Sequence, residues 1–228
     1  MTTSSVQYAY ESLKGTNRTS NKDGVGAFDL DIDGYSLFAI FDGVSSLANA
    51  KNGVNLALRE LGRIFYENKH NNDIDLVKIV ESLNAKIRES KYKKPYTTCA
   101  ILAIPKDKTR PVKIASLGDS RIYGVDKQFI EQLTEDHHID GHPSVLTRYL
   151  GMEQLEHSDI FYKEFISSFS DYMLCTDGFC SLFEKDKSLF HDIFLRHTPT
   201  GAKKEVNKLI QGKNQDDATY IYVRTNDV

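Results

Sequence analysis

Four aspartates in this 228-residue chain stand where an apolar segment ends or begins. They are Asp42, Asp119, Asp177 and Asp216. Carboxylates that converge at the edge of a core repel one another, so they cannot all stay ionised unless a cation lies between them. Hard divalent cations provide that charge and prefer oxygen ligands. If the ends of these segments meet in the fold, the four side chains predict a site for metal ions.

Each aspartate taken singly also fits a turn. Asp42-Gly43 and Asp177-Gly178 combine two residue types that turns favour. Gly118-Asp119-Ser120 could join two strands as a hairpin, and Asp216-Asp217 could open the last strand. The turn interpretation does not explain why four acidic turns of one kind each lie next to an apolar strand.

Apolar spacing predicts the elements that must position these turns. Strand patterns cover residues 6–12, 25–32, 35–41, 97–104, 112–117, 121–125, 129–133, 159–165, 172–175 and 219–223. Helix patterns cover residues 47–65, 76–87, 187–196 and 203–210. Because short turns join the middle strands, antiparallel pairing is the economical connection. The pattern therefore predicts an α+β fold, in which two antiparallel β-sheets pack face to face and helices cover each sheet.

Composition limits the classes of function. With 40% hydrophobic and 27% charged residues, the chain can form one sizeable core, which predicts a single domain over residues 1–228. A formal net charge of -3 gives no basic excess for binding nucleic acid. Residues 1–7 lack a signal-peptide pattern, and no stretch approaches the roughly 18 apolar residues of a membrane span. We therefore expect a cytoplasmic protein without a membrane anchor. Its three cysteines lack the spacing of a zinc site and predict reduced thiols.

The motifs also stand in a recognisable order. They are Arg18–Asp23, Leu37–Gly43, Thr97-Thr98, Ser116–Tyr123, Leu133–His137, Leu146–Gly151, Leu174–Gly178 and Gln215–Thr219. On these motifs the chain resembles the metal-dependent protein phosphatase family, the type 2C Ser/Thr phosphatases, over nearly its whole length. The resemblance implies a four-layer αββα sandwich with a binuclear Mn²⁺ or Mg²⁺ centre at one end of the two sheets.

The resemblance also implies the metal ligands. Asp42 corresponds to the carboxylate that bridges both ions, and the carbonyl of Gly43 corresponds to a ligand of the second ion. Asp177 and Asp216 correspond to ligands of the first ion. Asp119 corresponds to the carboxylate that binds a third, weaker ion in bacterial members. The implied cofactors are therefore two Mn²⁺ or Mg²⁺ ions, with a third at Asp119.

Two further residues are implied in catalysis. Arg18 takes the place of an arginine that binds the substrate phosphate, and Asp23 that of an acid tied to metal-bound waters. Two cations lower the pKa of a shared water and neutralise the phosphoryl group, so attack on phosphorus needs no nucleophilic side chain. The implied substrate is a phosphorylated protein, a Ser/Thr kinase or its targets, hydrolysed at phosphoserine or phosphothreonine by a monomer that binds neither nucleic acid nor membrane.

Three departures from the family pattern concern the same region. Lys22 stands where relatives carry Glu or Gln, and an ammonium cannot help to hold the second ion. Residues 44–46 lack the histidine that is proposed as a general acid in eukaryotic members. Residues 135–146 form a shortened flap segment. Its three histidines, His137, His138 and His142, fit no standard zinc spacing and favour packing or loop roles.

Two alternatives remain open from the sequence. A catalytically weak relative could use the same fold as a binding or regulatory module, which Lys22 and the short flap would favour. The complete set of Asp42, Asp177 and Asp216 favours the enzyme. An esterase with Ser120 as its nucleophile is a weaker alternative, because the chain lacks a Gly-x-Ser-x-Gly elbow.

Overall fold

The computed structural model describes residues 6–30, 34–71 and 73–225. The strands in this part of the chain are β1 (Val6–Leu13), β2 (Gly24–Phe28), β3 (Tyr35–Phe41), β4 (Cys99–Pro105), β5 (Val112–Leu117), β6 (Arg121–Val125), β7 (Ile130–Gln132), β8 (His138–Ile139), β9 (His142–Leu146), β10 (Phe161–Phe165), β11 (Asp171–Cys175) and β12 (Ala218–Thr225). The helices are α1 (Ala50–Asn68), α2 (Leu76–Arg88), α3 (Asp177–Phe183), α4 (Lys187–Arg196) and α5 (Pro199–Ile210).

Two five-stranded sheets form the centre of the molecule. Sheet A has the order β1-β12-β11-β6-β7, and sheet B has the order β10-β5-β4-β3-β2. Neighbouring strands are antiparallel throughout both sheets. A separate hairpin, β8-β9, lies in the shortened flap segment. The antiparallel pairing predicted from the short turns is therefore confirmed.

Burial on both faces explains why the central strands are continuously apolar. In β3, Leu37 and Phe41 pack in one cluster with α1 and α2, whereas Phe38 and Ile40 pack in the cluster between the two sheets. All four side chains are fully buried. Helices α3, α4 and α5 share a third cluster with the outer face of sheet A. The layers are helix, sheet, sheet and helix, which confirms the predicted αββα sandwich.

Strand register brings the ends that carry the four aspartates to one end of the sandwich. In sheet A, Cys175 at the end of β11 pairs with Arg121 and Tyr220, near the starts of β6 and β12. In sheet B, the ends of β3 and β5 pair with the start of β4. Residues 118–120 connect β5 of sheet B to β6 of sheet A. The hairpin interpretation of these residues is therefore wrong, because β5 and β6 belong to different sheets.

Several local predictions differ from the structure. Helix α3 begins at Asp177, in a segment for which the sequence predicts only a turn. Residues 157–159 form a 3-10 turn, so β10 begins at Phe161 instead of residue 159. The strand predicted over residues 25–32 is β2, which ends at Phe28; residues 31 and 32 lie outside the described residues. In the part of the chain that the structure describes, no helix is both long and apolar enough to cross a membrane.

The turn between β5 and β6 depends on a glycine. Gly118 has a φ of +107°, and a Cβ at this position would lie 2.6 Å from Cγ2 of Thr98. We expect Gly118→Ala to lower the free energy of unfolding by about 2–4 kcal/mol, because backbone strain and steric overlap add together. Denaturant unfolding measures this loss.

Gly141→Ala is the matched control. Gly141 also has a positive φ, +74°, but a Cβ there would meet nothing within 4 Å. The control should lose only about 1 kcal/mol, from backbone strain alone. Equal losses in the two variants would show that the contact with Thr98 has no energetic effect.

Candidate active site

The backbone of Asp42 is fixed by two threonines. Its N–H donates to Oγ1 of Thr98 at 3.0 Å, and its carbonyl accepts from the hydroxyl of Thr97 at 2.7 Å and from the N–H of Thr98 at 2.8 Å. The Thr98 hydroxyl also lies 2.7 Å from the Ser120 hydroxyl. Asp42 in sheet B and the turn that carries Asp119 are therefore held together through Thr98.

A close backbone approach places Asp177 beside Asp216. Asp177 is the first residue of α3, and a Cβ on Gly178 would lie only 2.0 Å from the carbonyl oxygen of Asp217. Only glycine allows α3 to begin against the segment that precedes β12. The carboxyl groups of Asp42 and Asp177 share a hydrogen bond. The structure thus joins residues from both sheets in one cluster.

Asp23 is close enough to this cluster to raise the pKa of Asp42, and it is almost completely buried, with 2% of its surface exposed. Its Oδ2 accepts a hydrogen bond from the Thr176 hydroxyl at 2.9 Å, and that hydroxyl accepts in turn from the N–H of Thr219 at 3.1 Å. Its Oδ1 has no hydrogen-bond partner. A buried carboxyl oxygen without a partner is costly, so this atom is suited to a water or a cation.

Burial and neighbouring acids together raise the pKa values in this cluster. Burial raises the pKa of Asp42 well above its usual range, and the charges of Asp23, Asp177 and Asp119 raise it further. Burial raises the pKa of Asp23 to about 7 and that of Asp119 to about 7. Desolvation also raises the pKa of Asp177, although part of this side chain is open to solvent. Such a cluster is under electrostatic stress until a cation or protons neutralise it.

Arg18 pairs with Asp216 through two hydrogen bonds. Its Nε donates to Oδ1 at 2.5 Å, and its Nη2 donates to Oδ2. The two side chains keep about a third of their surface exposed, 31% and 37%, so solvent weakens the pair. The predicted phosphate-binding arginine is thus present at the site, in contact with a predicted metal ligand.

Asp217 is a site residue whose role the sequence does not reveal. It is buried, and its two carboxylate oxygens accept from the backbone N–H groups of Gly15 and Lys22, each at 2.8 Å. These bonds fix the loop that carries Arg18. In the sequence, the adjacent acids Asp216 and Asp217 both suggest a functional position. The sequence pattern does not show that Asp217 is buried and that Asp216 faces the site.

Backbone carbonyls hold the ammonium of Lys22. Its ammonium donates to the carbonyls of Ser45 at 2.6 Å and Leu47 at 3.1 Å. Its own carbonyl oxygen would lie 3.0 Å from a Cβ on Gly43. The lysine therefore ties the loop before β2 to the loop that follows Asp42.

His137 supports the Asp119 turn from the flap side. Its Nδ1 accepts from the N–H of Gly118 at 3.1 Å, and its own N–H donates to the Gly118 carbonyl at 2.9 Å. Burial lowers the pKa of His137, and the nearby charge of Arg148 lowers it further. A neutral ring is what an accepting Nδ1 requires. These contacts agree with the packing role predicted for this histidine.

The oxygen ligands of this cluster are of the kind that divalent cations prefer, but the side chains are not arranged around an ion. Within residues 6–30, 34–71 and 73–225, no three His, Cys, Asp or Glu side chains form a group that could hold an ion as they stand. Asp216 is occupied by Arg18, and Asp42 and Asp177 bond to each other. The buried acids with raised pKa values and the unpartnered Oδ1 of Asp23 are nevertheless what hard cations neutralise.

Comparison with known sequences identifies the family. Residues 16–211 match the family described as protein phosphatase 2C. This match spans most of the chain, so the chain belongs to the protein phosphatase 2C family, and its class is that of a protein phosphatase. A search of curated proteins gave no match.

Solved structures show the same fold. A bacterial serine phosphatase is similar with a TM-score of 0.80 at 18% identity, over 98% of this chain and 99% of that chain. The serine/threonine phosphatase Stp1 from Staphylococcus aureus gives 0.80 at 17%, over 98% and 96%. The catalytic domain of the serine threonine protein phosphatase PstP, in complex with 2 manganese ions, gives 0.76 at 18%, over 97% and 99%. At these identities the likeness concerns the fold.

The buried carboxyl of Asp23 predicts how stability depends on pH in the presence of chelator. Because its folded pKa of about 7 exceeds the unfolded value of about 4, the folded state holds a proton that the unfolded state has lost between these values. Stability should therefore fall as pH rises from 4 to 7, by up to about 1.4 kcal/mol per pH unit from this group.

Asp23→Asn should remove this contribution. Between pH 5 and pH 7.5, the parent should lose about 1–3 kcal/mol more stability than the variant, measured by urea unfolding in chelator. Asp126→Asn, in the turn after β6, is the control and should keep the slope of the parent. If the free energy of unfolding of Asp23→Asn fell with pH as steeply as that of the parent, Asp23 would have to be ionised in the folded protein at pH 5.

Proposed function

We propose that this chain, as a single catalytic domain over residues 1–228, hydrolyses phosphoserine and phosphothreonine in phosphorylated proteins with the help of two Mn²⁺ or Mg²⁺ ions. The observation that carries the proposal is that strand register brings Asp42, Asp119 and Asp177 to one shared end of the two sheets. There, the charges of Asp23, Asp177 and Asp119 raise the pKa of Asp42 beyond the effect of burial. This arrangement supports a cation site because only added positive charge would let all of these groups ionise at neutral pH.

The proposed roles follow from these positions. Asp42, Asp177 and Asp216 would hold two ions together with the carbonyl of Gly43, and Asp119 would hold a third. When bound, such ions activate water and neutralise charge on a transferring phosphoryl group. Asp23 would orient the attacking water, or accept its proton, at the unpartnered Oδ1. The planar guanidinium of Arg18 would bind two phosphate oxygens, which orients phosphorus for in-line attack.

The alternatives have less support at the site. Lys22 and the short flap favour a binding or regulatory module, but the Lys22 ammonium is engaged by the carbonyls of residues 45 and 47. The Ser120 hydroxyl, which an esterase would need as nucleophile, is buried and lies 2.7 Å from the Thr98 hydroxyl. A nucleophilic serine needs an adjacent base instead.

Metal dependence is the first test of the proposal. The protein should hydrolyse a phosphoserine peptide in Mn²⁺, lose the activity in excess chelator and regain it when Mn²⁺ is restored. Asp42→Asn and Asp177→Asn should each lower kcat at least about a hundredfold, roughly 2.7 kcal/mol, because a ligand loses its charge. Calorimetry should show weaker Mn²⁺ binding in both variants.

Asp126→Asn is the control, since it makes the same chemical change outside the site, and it should match the parent in both assays. Hydrolysis that continues in excess chelator would contradict the proposed metal mechanism. Mn²⁺ binding to Asp42→Asn with the affinity of the parent would contradict the role of Asp42 as the bridging ligand.

The ion pair between Arg18 and Asp216 leads to a second prediction, which concerns Mn²⁺ affinity. If Asp216 is a metal ligand, its arginine partner competes with the ion. Arg18→Gln should therefore bind Mn²⁺ about two- to fivefold more tightly by calorimetry, while KM for a phosphopeptide rises because a phosphate contact is lost. Arg18→Lys keeps the positive charge but loses the paired hydrogen bonds. Its Mn²⁺ affinity and its KM should therefore lie between those of the parent and those of Arg18→Gln. Weaker Mn²⁺ binding in Arg18→Gln would contradict the competition.

A further inference from the structure

An open cleft lies beside the proposed site. Its volume is about 490 Å³, and Asp177 and Asp216 form part of its wall. Three cationic side chains also line it: Arg18, Lys185 and Lys213. We call this feature the basic cleft. A group bound there would be adjacent to any phosphate bound at the proposed site.

The two lysines come from segments that end helices. Lys185 follows α3, and Lys213 follows α5 in a turn where Gly212 has a φ of +74°. Both side chains are exposed. Among the described residues, neither ammonium has a hydrogen bond or an ion pair, whereas several other surface lysines, such as Lys187, Lys203 and Lys208, pair with glutamates.

The acids nearest to Lys185 in the sequence are engaged elsewhere. Glu184 pairs with Lys187 at 2.8 Å and accepts from the Tyr123 hydroxyl at 2.6 Å. The carboxylate of Asp186 accepts from the N–H of Leu189 at the start of α4. Neither of these two acids, both within the part of the chain that the structure describes, forms an ion pair with Lys185.

The remaining lining residues suit an anion as well. Asn17 and Gln215 contribute side-chain amides that make no hydrogen bond to other described side chains. The carboxylates of the cleft, Asp177 and Asp216, are those that the proposed function assigns to metal ions. With that charge neutralised, the wall of the cleft carries positive charge and free amide donors.

We propose that the basic cleft binds a second anionic group of the substrate, a phosphate or a carboxylate on the same peptide, and that Lys185 and Lys213 determine this preference. The inference rests on the proposed function, since it needs a phosphorylated residue at the metal site. An extended peptide advances roughly 3.3–3.6 Å per residue, so a group two residues from the reacting one lies about 7 Å away. Preferred substrates are therefore phosphoproteins with clustered phosphates or acidic residues.

The test uses three peptides that share one phosphoserine and differ two residues away. Two residues from the phosphoserine, the peptides carry Gln, Glu or a residue with a phosphonate group that cannot be hydrolysed. The parent, measured in Mn²⁺ at low ionic strength, should prefer the phosphonate peptide about tenfold and the Glu peptide about threefold over the Gln peptide in kcat/KM. The preference should lie in KM and should shrink in high salt, because exposed charges are screened.

The double variant Lys185→Gln/Lys213→Gln should reduce both preferences to less than about twofold. Lys127→Gln/Lys204→Gln removes the same charge from two exposed lysines outside the cleft and should keep the preferences of the parent. A phosphonate preference without a Glu preference would restrict the cleft to phosphate.

The outcomes separate this inference from the proposed function. If the parent hydrolyses all three peptides equally well, the inference is wrong and the proposed function stands. If the parent prefers the anionic peptides and Lys185→Gln/Lys213→Gln keeps that preference, another surface binds the second anion and the inference is again wrong. If the parent hydrolyses none of the peptides, the proposed function fails and the inference falls with it.

Discussion

The gathering of several acidic side chains at one end of the two sheets is the constraint on which the rest of this structure depends. Asp23, Asp42 and Asp119 all have raised pKa values, and in each case burial is the largest cause. Such groups would move apart or into water if their backbones were free to move. The fold therefore has to hold them through contacts with neutral groups, and a site held in this way is ready to receive cations.

Hydrogen bonds from neutral groups and close backbone packing provide that restraint. Thr98 joins the backbone of Asp42 to the turn of Asp119, and Thr176 bonds Asp23 to the start of α3. Two glycines allow close approaches that any side chain would prevent: Gly118 against Thr98, and Gly178 against the carbonyl of Asp217. Because residues 118–120 cross between the sheets, the two sheets cannot shift relative to each other without moving the site.

Much of the architecture could be predicted from sequence because burial leaves a direct pattern. The continuous apolar run of β3 follows from burial on both faces, and the four aspartates mark strand ends. Contacts that depend on the third dimension left no such pattern. Helix α3 was missed because Asp177-Gly178 fits a turn equally well, and Asp217 because its partners, Gly15 and Lys22, lie about two hundred residues away. The assignment of metal ligands remains a prediction.

Proton release on metal binding tests the central claim most directly. The pKa values of about 7 for Asp23 and Asp119 predict that these acids hold protons near pH 6.5, which an entering cation would displace. Calorimetric titration with Mn²⁺ in several buffers of different ionisation enthalpy measures the number of protons released. We expect at least about one proton per protein at pH 6.5, falling towards zero at pH 9. Binding of Mn²⁺ without proton release at pH 6.5 would contradict the account, because it would mean that the carboxyl groups are already ionised in the folded protein.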